Sequence, residues 1–112
     1  MFVDMFVGHL VADLATQTDF IATNKKQSSL VCLLHCLLYT FVVALFTGFN
    51  IPWWGLLAIF IPHFLIDRWY FIPWFMGAIG QASYRDHMGP WSLVIVDNVF
   101  HIVTLWGVAK LS

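Results

Sequence analysis

The stretch WWGLLAIFIPHFLIDRWY, residues 53–70, places a histidine and an aspartate inside one of the most apolar parts of the chain. His63 and Asp67 are four residues apart, and most of their neighbours are aliphatic or aromatic. An apolar run of this length matches the ~20 residues that an α-helix needs to cross a bilayer. The polar pair therefore has to be explained within a membrane helix.

The composition extends this interpretation to the whole chain of 112 residues. Hydrophobic residues make up 61% and charged residues 10%, and the mean hydropathy is +0.82. Soluble domains contain about 45–50% apolar residues, and a soluble domain this small could not hide the excess. The sequence predicts a single integral membrane domain over residues 1–112. Its net charge of −1 argues against nucleic acid as a partner.

Four apolar stretches predict an all-α fold, a bundle of four transmembrane helices. They cover residues 2–21, 30–46, 53–70 and 91–109. Residues 71–88, between the third and fourth stretches, are aromatic but too interrupted to span. That pattern is typical of an interfacial or re-entrant segment.

The basic residues predict the orientation. Lys25, Lys26, Arg68 and Arg85 fall on the side of the first and third loops, whereas Lys110 falls on the other side. By the positive-inside rule, those two loops lie in the cytoplasm and both termini lie outside. We therefore expect a multi-pass protein of the inner (plasma) membrane.

Histidine and aspartate recur together at helical spacing in three of the four stretches. The pairs are His9/Asp13, His63/Asp67 and Asp97/His101. Side chains four residues apart share one face of a helix. At ~1.5 Å of rise per residue, the three pairs and the unpaired His35 lie in one layer of the inner half of the bilayer. We expect the four segments to build one shared interior site.

A divalent cation would make the burial of these groups tolerable. A charged side chain at mid-bilayer costs about 2.5–3.5 kcal/mol, and carboxylates that face each other also repel. Imidazole and carboxylate are common ligands of zinc, iron and manganese. The sequence predicts a site for one ion or two adjacent ions, with zinc as the first choice. Its candidate ligands are His9, Asp13, His35, His63, Asp67, Asp97 and His101.

The order of these motifs resembles a known family. The order is His9-x-x-x-Asp13, Gln17-Thr18-Asp19, Asn24-Lys25, His35, His63-x-x-x-Asp67 and Asp97-x-x-x-His101. It is similar to domain of unknown function 3307, a family of small polytopic membrane proteins of bacteria and their phages. The resemblance spans nearly the whole chain and implies no established activity. The layout is also similar to small membrane proteins described as metal-dependent hydrolases.

The first function that we expect is a metal-dependent hydrolase acting on a lipid or lipid-linked phosphate at the inner leaflet. The ion would activate a water molecule. Asp13, Asp67 and Asp97 are the candidate catalytic residues, because a carboxylate left off the metal would serve as general base. Such a small chain offers little extramembrane surface, so we also expect a homo-oligomer or a larger membrane complex.

The polar stripe of the first stretch continues toward the cytoplasmic face. Its further members, Gln17, Asp19 and Asn24, are candidates for an entrance or a substrate contact. Cys32 and Cys36 flank His35 and are interpreted either as packing residues or as soft ligands.

Two alternatives to the hydrolase remain open. One is a non-enzymatic membrane subunit or phage-encoded envelope component, in which the polar layer is a proton relay or a structural core. Interhelical hydrogen bonds contribute only ~0.6 kcal/mol each in membranes, which is too little to explain the burial of three carboxylates. The other is a haem-binding anchor with histidines on facing helices. The paired aspartates argue against haem.

Overall fold

The described part of the chain is helical throughout, without strands. The computed structural model describes residues 1–15, 27–69, 71–87 and 90–112. Helix α1, Phe2–Leu10, continues directly into a π-helical turn, Val11–Ala15. The other helices are α2 (Ser29–Phe46), α3 (Trp53–Arg68), α4 (Phe71–Ala78), α5 (Ala82–His87) and α6 (Pro90–Leu111). The predicted all-α class is confirmed.

Local sequence explains where α2 and α3 begin. Ser28 has an extended backbone, and its hydroxyl accepts a hydrogen bond from the Val31 amide at 3.3 Å, which satisfies one free donor at the start of α2. Pro52 immediately precedes α3, where its missing amide hydrogen removes no helical hydrogen bond. Pro62 lies inside α3, and the helix nevertheless runs unbroken to Arg68.

Four of the helices pack in a closed order around a common interior. Helix α1 contacts α2, α2 contacts α3, α3 contacts α6, and α6 contacts α1. An apolar core fills one part of this interior. Its most buried members include Met5, Tyr39, Val43, Ile59 and Leu105, none of them more than 2% exposed.

Two described helices are long and apolar enough to cross a membrane, α2 and the Ser92–Leu111 part of α6. Helices α3 and α4 form a third candidate if they are counted as one span, although they are bent by 82° where they meet. The first predicted span is described only over residues 2–15, which corresponds to about 21 Å of helix. Two or three membrane-crossing segments are thus supported among the described residues.

The segment predicted as interfacial or re-entrant contains two short helices, α4 and α5. Helix α4 contacts both α3 and α6, and α5 contacts α6. A second apolar cluster, built on Ile66, Ile72 and Met76, lies at this contact. The rings of Phe71 and Phe75 meet Phe100 edge-on, with centroids 5.3 and 4.9 Å apart. The segment is therefore packed against the helices that it joins.

The outer surface of the helices is strongly apolar. Large side chains such as Leu30 on α2 and Val103 on α6 are 64% and 58% exposed, and many others share this pattern. In water, such a surface would be an aggregation hazard. Among the described residues, four histidines and two aspartates are buried while large apolar side chains are exposed, a distribution typical of membrane proteins.

Candidate metal centre

Seven of the sequence-predicted site residues come from four different helical segments. Asp13 belongs to the π-helical turn, where the wider backbone spiral changes the direction of a side chain, and such turns are frequent at functional sites. Six of the seven side chains are almost fully buried, and Asp97 is the most exposed at 23%. The seven are His9, Asp13, His35, His63, Asp67, Asp97 and His101.

Four of these residues form what we call the central cluster: Asp13, His35, His63 and Asp67. The Nε2 atoms of His35 and His63 are 3.1 Å apart. Both point at the same oxygen, because Asp67 Oδ2 lies 3.0 Å from His35 Nε2 and 2.9 Å from His63 Nε2. Asp13 Oδ1 completes the group at 3.3 Å from His35 Nε2 and 3.9 Å from His63 Nε2.

These separations approach those of ligand atoms around one ion. Ligand atoms of a tetrahedral zinc lie ~2.0–2.1 Å from the metal, which places them roughly 3.3–3.4 Å from each other. In the central cluster the five distances given above run from 2.9 to 3.9 Å. Two imidazoles and two carboxylates are also a common donor set for zinc, iron and manganese.

A second group, which we call the edge cluster, consists of Asp13, Asp97 and His101. His101 Nε2 lies 3.3 Å from Asp97 Oδ2 and 3.6 Å from Asp67 Oδ1. Asp13 belongs to both clusters, and Asp67 directs one oxygen toward each. The two clusters are therefore adjacent parts of one site.

Several buried polar atoms of the site have no hydrogen-bond partner among the described residues. They are Asp13 Oδ1, His63 Nδ1 and His101 Nε2. Buried polar groups in folded proteins are nearly always paired, so each exception calls for an explanation. Asp13 Oδ1 and His101 Nε2 are also candidate ligand atoms, and a cation would satisfy both.

Tyr39 and Asn98 form a polar frame beside the clusters. His9 Nε2 lies 2.7 Å from Asn98 Oδ1, and His9 Nδ1 lies 2.7 Å from the Tyr39 hydroxyl. An amide oxygen only accepts, so His9 Nε2 donates and, in a neutral ring, Nδ1 accepts from the tyrosine. Tyr39 stacks on His63 at 3.9 Å between centroids, and His63 stacks on His101 at 4.1 Å. The frame thus fixes the ring planes of the ligand candidates.

Two histidines lie in positions that their sequence spacing does not indicate. His35 stands apart in the sequence because it lacks an aspartate four residues away, yet it lies at the centre of the central cluster. Both nitrogens of His9 are hydrogen-bonded to Tyr39 and Asn98, so His9 supports the site from outside the two clusters.

Sequence reasoning missed Tyr39 and Asn98. One signal was available for each: Tyr39 is four residues after His35, on the same face of α2, and Asn98 directly follows Asp97. Neither residue type is a usual metal ligand, so a search for ligands alone passes over both.

Other candidates lie elsewhere. Gln17, Asp19 and Asn24, the expected entrance or substrate contacts, fall outside the described residues. Cys32 and Cys36 are buried thiols that belong to neither cluster, and Cys32 Sγ lies 3.8 Å from the Phe64 carbonyl oxygen.

Comparison with known proteins gives one match. A family model described as "Protein of unknown function (DUF3307)" matches residues 1–112, which confirms the resemblance seen in the motifs. No curated protein matches the chain. No solved structure matches it either. The similarity to membrane-bound metal-dependent hydrolases therefore finds no support in these comparisons.

Proposed function

Since the chain belongs to the DUF3307 family, whose description assigns no activity, we propose a function from the site itself: the chain is a membrane-embedded metal-binding protein. Its central cluster holds one divalent cation, with zinc as the first choice and iron or manganese as alternatives. His35, His63, Asp67 and Asp13 supply the ligand atoms.

The observation that carries this proposal is the close triangle of His35 Nε2, His63 Nε2 and Asp67 Oδ2, with sides of 2.9 to 3.1 Å. Hydrogen bonds alone cannot satisfy all three sides. If both nitrogens carry hydrogens, two donors are crowded against each other. If one nitrogen lacks its hydrogen, its lone pair faces a carboxylate oxygen. A cation bound beside the three atoms, out of their plane, would attract all of them at once.

The energetics favour the same interpretation. Asp13 and Asp67 are 4% and 1% exposed, so both carboxylates are removed from solvent. Leaving buried charges uncompensated is strongly unfavourable. A bound divalent ion neutralises two carboxylates and leaves the imidazoles neutral, which is the form that binds metal.

We further propose that four segments lie in the bilayer, with the clusters in its cytoplasmic half and both termini outside. Support comes from Arg68 at the end of α3, whose Nε donates to Ser29 Oγ at the start of α2 at 3.0 Å. These helix ends therefore lie at the same side of the bundle, and two lysines precede α2 in the sequence. The polar layer is near this side, because His35 is about two turns into α2.

Hydrolysis at this site stays a prediction. Asp97 forms the most exposed edge of the site. In a centre that holds a single ion, Asp97 is the aspartate best placed to act on a water molecule as general base. The gap lined by Tyr39, His63, His101 and Thr104 is too small to admit a water molecule, so a substrate would have to approach from elsewhere. A lipid or lipid-linked phosphate would reach the site laterally from the membrane.

The two alternative functions fare differently. A haem needs axial ligands on opposite sides of a flat macrocycle, and the 3.1 Å between His35 and His63 Nε2 leaves no room for one between those two rings. A non-enzymatic polar core remains the competing explanation. It requires the same contacts but no metal, and this difference can be measured.

Elemental analysis of detergent-purified protein tests the proposal. Wild type should hold metal in close to stoichiometric amount, and His63→Ala should lose most of it. His87→Ala is the matched control, because His87 is an exposed histidine on α5 that is hydrogen-bonded to Ser83. Wild type that purifies without metal, and that takes up none when zinc is offered, would overturn the proposal.

A further inference from the structure

We propose that the edge cluster holds a second divalent cation beside the first, so that the chain carries a two-ion centre bridged by aspartates. This inference rests on the proposed function, since it adds a neighbour to the ion of the central cluster. It assigns His101 and Asp97 as ligands of the second ion and makes Asp67, with Asp13, the bridge.

The two oxygens of Asp67 serve different partners. Oδ2 lies 3.0 and 2.9 Å from the nitrogens of His35 and His63, whereas Oδ1 lies 3.6 Å from His101 Nε2. A carboxylate placed in this way can bind one ion through each oxygen. The two metal ions of such sites in proteins are ~3.5–4 Å apart. The two oxygens of one carboxylate are close enough together to bind two ions at that separation.

Asp13 provides a second link between the clusters. It belongs to the central cluster, with His35, His63 and Asp67, and to the edge cluster, with Asp97 and His101. In both groups the candidate ligand atoms lie within 4.8 Å of one another. One carboxylate from the π-helical turn therefore faces both ion positions.

His101 provides the independent observation. It is 3% exposed, and its Nε2 has no hydrogen-bond partner among the described residues. That nitrogen nevertheless points between two carboxylate oxygens, at 3.3 Å from Asp97 and 3.6 Å from Asp67. A buried nitrogen that faces two carboxylate oxygens at these distances has the placement of a metal ligand.

The charges of the two clusters can accommodate a second ion. Their three carboxylates carry three negative charges, so one divalent ion leaves one negative charge and two divalent ions leave one positive charge, which a bound hydroxide would balance. Asp97, 23% exposed, lies on the side where the second ion would be. The second position has fewer protein ligands of its own and a more open edge, so we infer that its ion binds more weakly and exchanges faster.

The experiment combines metal stoichiometry with spectroscopy of the full chain in detergent. Wild type is loaded with Mn²⁺, the bound metal is counted, and the electron paramagnetic resonance spectrum is recorded. We expect two ions per chain and the spectrum of a spin-coupled pair. His101→Ala should hold one ion with the spectrum of an isolated ion, whereas His87→Ala, the exposed control, should match wild type.

The outcomes separate this inference from the proposed function. One ion per wild-type chain, lost in His63→Ala, would overturn the second position and leave the first intact. Two ions with uncoupled spectra would overturn the bridge. No bound ion in any variant would remove both proposals. If His101→Ala fails to fold, the wild-type spectrum and stoichiometry still decide the question.

Discussion

The apolar core and the central cluster lie between the same helices and are equally buried, yet different interactions make their burial favourable. Met5, Val43 and Leu105 in the apolar core are 0% exposed and fit by shape alone. His63 and Asp67 in the central cluster are each 1% exposed and fit only if their charges and lone pairs are compensated. The apolar core contains residues of α1, α2, α3 and α6, so these helices also contact one another through apolar side chains.

This difference favours a functional role for the cluster. Polar contacts between membrane helices contribute about 0.6 kcal/mol each, whereas an aspartate at mid-bilayer costs about 2.5–3.5 kcal/mol. A chain that needed only helix contacts would gain more from extending its apolar core. The comparison predicts that each region can be damaged without the corresponding loss in the other.

The largest expected effect comes from a cavity in the apolar core. Leu105→Ala removes a fully buried side chain of α6 and should lower the free energy of unfolding by about 2–5 kcal/mol. Metal content of the folded fraction should stay at the wild-type level. Leu34→Ala is the matched control, because Leu34 is 56% exposed, and it should change stability by less than about 0.5 kcal/mol. Equal effects of the two variants would show that the apolar core is misassigned.

The second effect is on the cluster alone. Asp67→Asn keeps the shape of the side chain but removes the charge and replaces one of the two oxygens, which face His35, His63 and His101, with an amide nitrogen. We expect metal affinity to fall by about 100-fold or more. Loss of a group that only supports a ligand already lowers metal affinity by about 10–100-fold, and Asp67 is proposed as a ligand itself. Competition with a coloured chelator measures this. Asp4→Asn, at an exposed aspartate of α1, should leave affinity unchanged. An unchanged affinity in Asp67→Asn would count against the site.

The third effect tests how closely the helices approach in the apolar region. A Cβ at Gly8 would lie 3.0 Å from the Val43 Cα, so Gly8→Ala forces α1 and α2 apart. We expect a loss of about 1–3 kcal/mol in chemical unfolding. Gly107→Ala is the matched control, because its new Cβ meets nothing within 4 Å, and it should stabilise α6 by up to about 1 kcal/mol. The same sign for both variants would contradict the close approach.

The smallest expected effect comes from Tyr39, which belongs to the apolar core and stacks on His63 of the central cluster. Tyr39→Phe keeps the ring that stacks on His63 and removes the hydroxyl that contacts His9 Nδ1. We expect a stability loss of about 1 kcal/mol, because a buried acceptor loses its donor. Metal affinity should change only a few-fold, since His9 lies outside both clusters. Tyr84→Phe provides the control, and a large loss of metal in Tyr39→Phe would instead place the hydroxyl at the ion.

Much of the fold was accessible from the sequence, because apolar length and turn residues carry that information. Helix α2 begins within one residue of its predicted start and ends at Phe46 as predicted, and α6 lies within two residues of the predicted limits. The His63/Asp67 and Asp97/His101 pairs meet at 2.9 and 3.3 Å, as helical spacing requires.

The rest depended on contacts between helices, which spacing within one helix does not determine. The central position of His35 follows from the packing of α2 against α3 and α1. His9 and Asp13 are spaced like the other pairs, but Asp13 lies in a π-helical turn and His9 bonds to Tyr39 and Asn98. The local sequence contains no signal that predicts the π-helical turn.

X-ray absorption spectroscopy of the protein loaded with one equivalent of zinc tests the central claim most directly. We expect a shell of nitrogen and oxygen atoms at ~2.0–2.2 Å, with the outer scattering of two imidazoles from His35 and His63. The spectrum of His87→Ala should be the same. A sulfur shell at ~2.3 Å would place the ion at Cys32 or Cys36 instead, and a shell of water oxygens alone would show that the cluster does not bind metal.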